Sequence, residues 1–134
     1  MRGLGKAFFA TALFYGVAGI LLGLHMAMSK SHEQMPTHAH LLVIGWLSFA
    51  IFGLFYSAHE SAVPRLVARA HFWLAQVSFA GLVVGLWLLF AGQTQYEPIA
   101  AVSSLGYAAS FLIFVVAAIY AMRADVPLTK RQPL

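Results

Sequence analysis

Four stretches of this chain run far enough to cross a lipid bilayer without meeting a charged side chain: Ala7 to Met28, His38 to Ser57, Phe72 to Ala91 and Pro98 to Met122. As helices rising about 1.5 Å per residue, each matches a hydrocarbon core about 30 Å thick. Inside a bilayer every backbone N–H and C=O must find a partner within the protein, which leaves helices or closed barrels. The stretches lack the period-two alternation of barrel strands. The sequence therefore predicts an all-α chain, a single transmembrane domain over 1–134 with helices about 7–28, 38–58, 70–91 and 98–122. Composition agrees, since only 9% of residues are charged, against about a quarter in soluble domains. The first stretch exceeds the apolar run of a signal peptide and is followed closely by another membrane segment, so it reads as a retained helix.

Orientation follows from Lys and Arg, which cytoplasmic segments retain. Arg2 and Lys6 precede the first helix, Arg65 and Arg69 separate the second and third, and Arg123, Lys130 and Arg131 follow the fourth, whereas the other two connections carry only Lys30. Both termini are expected in the cytoplasm, with the protein in a bacterial inner membrane. These cations are spread over three membrane-flanking segments and form no contiguous patch, so the net charge of +4 does not point to nucleic acid. With no cysteine, disulfides, thiolate ligands and iron–sulfur clusters are excluded. Any metal or cofactor must be held by residues such as histidine or methionine.

Six histidines in so short a membrane chain require an account, because ionisable groups at membrane depth are costly and concentrate at functional sites. His25, His32, His38 and His40 fall at the outer ends of the first two helices, and His59 and His71 at the inner side. Pro36-Thr37 is good chemistry for starting a helix, which places His38 and His40 in its first turns. Residues two apart on a helix diverge by about 200°. The pair therefore cannot easily share one small ion, and suits two large planar cofactors or one cofactor shared between copies.

The segment His38-Ala39-His40-Leu41-Leu42-Val43-Ile44-Gly45-Trp46, followed by Phe52-Gly53-Leu54-Phe55-Tyr56 and Pro64-Arg65, resembles the haem-ligating helix of haem-copper oxidases. The nearest likeness is to the catalytic subunit of cbb3-type oxidases, with nitric oxide reductases as relatives. Ala70-His71-Phe72-Trp73-Leu74-Ala75 resembles the helix that follows there, and Phe14-Tyr15-Gly16 fits the preceding one more weakly. The resemblance covers nearly the whole chain, as the last four helices of a twelve-helix subunit. It implies haem b on His38 and His40, the first histidine of the pair on a high-spin and the second on a low-spin haem, with Trp46 beside the porphyrin. The copper-ligating helices of the family have no counterpart here, so a complete oxygen-reducing centre is not expected.

The oxidase subunit has approximate threefold symmetry built from four-helix arcs, and three copies of this chain would supply twelve helices. Closed cyclic assembly is ordinary for membrane proteins, so the resemblance implies a homotrimer in which His40 of one copy and His38 of its neighbour clamp a haem. Ligation within one chain by His40 and His25 is the competing geometry. His32 and His59 read as solvated or interfacial residues, and His71 as interfacial or as support for a ligand. Apart from Trp46, the Trp and Tyr residues read as interfacial belts. Three functions are expected in competition: a cytochrome b exchanging electrons with quinol or a periplasmic carrier, a haem-based oxygen or nitric oxide sensor, and a copper- or haem-handling assembly partner using His25, His32, His38 and His40. Whether the chain is an enzyme rests on which of these holds.

Overall fold

The structure, a computed structural model, describes residues 3–124; Arg2, Lys130 and Arg131, used above for orientation, lie outside that range. Four helices are long and apolar enough to cross a membrane: α1 (Gly3–Ser29), α2 (Met35–Ala62), α3 (Arg65–Phe90) and α4 (Thr94–Ala124). No strand occurs among the described residues. The chain is a multi-pass membrane protein by the length and composition of these helices. The third helix, expected from about residue 70, starts earlier: Pro64, at φ −54° and ψ 132°, launches α3 at once, so Arg65 and Arg69 sit in its first turns. Pro64 supplies a fixed φ where a helix start needs no amide donor.

Helix ends follow local chemistry. At the end of α3, Gly92 takes φ +84°, its N–H donates to Leu89 O at 3.1 Å and that of Gln93 to Leu88 O at 3.0 Å. This is the paired closure that a left-handed glycine allows. The end of α1 makes a similar left-handed step with Lys30, at φ +56°, without glycine's freedom.

The four helices pair as two hairpins. α1 packs along α2 and α3 along α4, with far fewer backbone approaches between the pairs. Small residues make each hairpin close. A Cβ added at Gly53 would stand 2.9 Å from Phe9 N and 3.0 Å from Gly5 O, and one at Gly85 would stand 2.5 Å from Ala100 N. Lipid tails are as apolar as the helices, so close packing rather than burial drives this association. The hairpins meet across large rings. Phe8 of α1 stacks on Tyr56 at 5.6 Å and 4°, meets Phe49 and Phe52 edge-on at 5.6 and 5.5 Å, and reaches His71 and Phe72 of α3 at 5.0 and 4.9 Å. Phe52 in turn reaches Phe114 of α4 at 4.6 Å. Tyr15 and Tyr56, expected in an interfacial belt, belong to this buried core.

Candidate cofactor-binding site

α2 is not one uniform helix. It is α-helical over Met35–His40, π-helical over Leu41–Ser48 and α-helical again over Phe49–His59, closing in a 3-10 turn at Glu60–Ala62. The wide stretch begins immediately after His40. Its centre is Gly45, where an added Cβ would stand 2.6 Å from Tyr15 Cβ and 2.7 Å from Phe79 Cε1, so two rings of the core occupy the space a side chain would take. Ser48 Oγ donates to Val43 O at 3.0 Å at its end. π-helical segments are rare and frequently accompany functional sites.

The imidazole of His38 lies against α1. Its Nδ1 is 2.8 Å from Gly19 O, and a Cβ at Gly23 would stand 2.7 Å from its Cε1 and 3.2 Å from its Nδ1. Two glycines a helical turn apart thus make the seat for the ring. One and two turns further along α2, Leu42 packs over Gly19 and Trp46 over Gly16, where a Cβ would stand 3.2 Å from Trp46 Cε3. Leu42 and Trp46 line an apolar groove of about 250 Å³ with Leu13, Gly16, Val17 and Ile20. Its rim residues Leu13, Val17 and Ile20 are exposed on the outside of the hairpin.

His40 addresses a different surface. Its Nδ1 is 2.7 Å from Pro36 O, one turn back on its own helix, and with Ala39, Val43 and Ile44 it lines a second open groove of about 240 Å³. The two imidazoles therefore share neither contacts nor cavity. A carbonyl oxygen only accepts, so in each neutral ring the proton sits on Nδ1 and the Nε2 lone pair is left free. That second-partner arrangement is what fixes the orientation and tautomer of metal-ligating histidines.

His25 is exposed at the end of α1 and lines a third cavity, about 210 Å³, with Glu33, Gln34 and Trp87 among others. It has no lining residue in common with the groove of His40. His32 is exposed in the connection, where its carbonyl accepts from Met35 N at 3.1 Å; the His59 ring lies 5.3 Å from that of Phe55. No three His, Cys, Asp or Glu side chains converge as a metal site among the described residues, so a four-histidine copper site is not assembled within one chain.

A polar bridge anchors the turn of α2 that carries the pair. Thr37, fully buried, donates through Oγ1 to Gln34 Oε1 at 2.7 Å, and Gln34 Nε2 donates to Trp87 O at 3.1 Å. This bridge ties the first turn of α2 to the last turns of α3, directly beside His38. His71 is not interfacial. It is fully buried among Phe8, Phe52 and Phe114, with Nδ1 3.0 Å from Tyr56 Oη and no hydrogen-bond partner for Nε2. The nearest ring, Phe52, stands 4.7 Å away edge-to-face, a geometry open to a weak N–H to π contact.

Compared with known proteins, the chain matches no family model, no curated protein and no solved structure.

Proposed function

We propose that the chain is a membrane-bound cytochrome b, with His38 and His40 as axial ligands of haem b, that carries single electrons to or from a quinol or a periplasmic carrier. The observation that carries this reading is the shared setting of the two imidazoles: each commits Nδ1 to a backbone carbonyl and keeps Nε2 for a ligand. Paired imidazoles on iron give a six-coordinate centre suited to one-electron transfer, its potential set by burial and neighbouring hydrogen bonds. Trp46, beside the groove below His38, is the flat apolar wall for a porphyrin. The haem-copper oxidase resemblance of the His-x-His segment supports the same assignment.

Each groove is smaller than the roughly 300–1,000 Å³ of a small-molecule site, being about 250 Å³ and 240 Å³. Both open on the outside of the chain, so a haem seated in either needs a second wall. A second copy supplies it in a cyclic trimer, where His40 of one protomer faces His38 of the next. The basic residues near the α2–α3 turn put that end in the cytoplasm and the haem toward the opposite face.

The test is a pyridine haemochrome assay on purified protein from haem-replete cells, with protein quantitation. Haem b is expected in the parent, lost in His38→Ala and in His40→Ala, and kept in His25→Ala. Loss of haem in His25→Ala with retention in His38→Ala overturns the shared-haem geometry in favour of ligation within one chain. Colourless, metal-free protein overturns the function.

A further inference from the structure

At the end of the molecule opposite His38, the turn between α2 and α3 encloses the largest of the cavities described here, about 370 Å³, lined by Leu4, Glu60, Val63, Arg65, Ala68 and Arg69. Arg65 and Arg69 stand one helical turn apart, and both are exposed. Neither guanidinium has a hydrogen bond or ion pair among the described residues. Glu60 lines the same cavity, yet its carboxylate is turned to the first turn of α1, against Gly3, where any side chain would collide with it. A carboxylate there is favoured by the positive end of that helix. The cavity thus holds two arginines, neither ion-paired among the described residues, over a floor of Leu4, Val63 and Ala68, of which Val63 and Ala68 are buried.

From this we infer that the cavity is a binding site for a phosphate group carried by an amphiphile, the headgroup of an anionic phospholipid in the leaflet at this end. Guanidinium forks match phosphate oxygens in geometry as well as charge, and the apolar floor of Leu4, Val63 and Ala68 beside them suits the apolar part of an amphiphile. Arginines serving orientation alone need only be near the membrane surface. Here two of them share one cavity, and the one carboxylate among its described lining residues, that of Glu60, lies against Gly3 and pairs with neither.

The test is native mass spectrometry of the detergent-solubilised full chain titrated with phosphatidylglycerol, phosphatidylcholine or inorganic phosphate. Phosphatidylglycerol is expected to bind preferentially. At about a factor of five per basic residue near a lipid surface, the Arg65→Gln/Arg69→Gln double variant should bind it roughly 30-fold more weakly. Arg123→Gln, which removes a charge at the same end but outside the cavity, should bind as the parent does. Arg69→Lys, keeping charge without the fork, should fall between the two. Inorganic phosphate binding as tightly as the lipid keeps the phosphate site and assigns it to a soluble anion. Equal binding of the two phospholipids, or an Arg123→Gln loss as large as that of the double variant, overturns the inference.

Discussion

At the scale of single residues, the Tyr56–His71 pair and the His38 seat make opposite demands. Tyr56 Oη and His71 Nδ1 pair inside an aromatic core, and removing the hydroxyl leaves a buried imidazole with no strong partner. Tyr56→Phe is therefore expected to lower stability by about 1–3 kcal/mol, read from thermal unfolding in detergent. Tyr56→Phe/His71→Phe removes the polar demand altogether and should return to within about 1 kcal/mol of the parent. A double variant as unstable as the single one would show that His71 does more than satisfy its neighbour. Gly23→Ala is the test of the seat. A methyl group there stands 2.7 Å from the His38 ring and overpacks a histidine held by its hydrogen bond. It should cost about 1–3 kcal/mol and lower the haem-to-protein ratio. Gly19→Ala, which presses on the flexible end of Leu42, should lower that ratio less.

Helix ends and the π segment belong to the scale of elements. Gly92→Ala forces a side chain into the left-handed region and should destabilise by about 1–2 kcal/mol, whereas Lys30→Gly relieves the same cost at the end of α1 and should stabilise by up to about 1 kcal/mol. Both are measured as midpoint shifts in thermal unfolding. What the sequence could reveal about these elements follows from its solvent. Four helices were legible because a bilayer accepts little else, and Pro36 and Pro64 mark where two of them begin. Which face of each helix points inward was not legible, since in lipid the outer face is as apolar as the inner. Hence Tyr56, read as interfacial, and His71, read as interfacial or as support for a ligand, lie in the core. The π-helical stretch was not legible either. Such segments are rare, and the rings of Tyr15 and Phe79 packed at Gly45 accompany this one through tertiary contacts the local sequence does not display. The histidine pair was conspicuous by composition and spacing; Gly19, Gly23, Gln34 and Thr37, which hold it, are ordinary residues until the partner helices are in place.

At the scale of the whole molecule, the two histidine grooves lie on the outside of a single chain, so the proposed haem site is completed only by assembly. Co-expression of His38→Ala and His40→Ala copies offers a direct check. In the trimer with haem shared across the interface, neither variant alone holds haem, but every mixed trimer restores about one site in three, the one where an intact His40 meets an intact His38 in the closed ring. Recovery is measured as haem per protomer after purification through a tag on each variant. No recovery, with both variants shown to co-assemble, removes the shared site.

The contrast between glycine-close contacts inside each hairpin and ring contacts between hairpins has a consequence for biogenesis. Each half of the chain carries its own tight pairing, so it can enter the membrane as a unit and meet the other half afterwards. Severing the backbone between Ala62 and Arg65 should then yield two fragments that co-purify when made together.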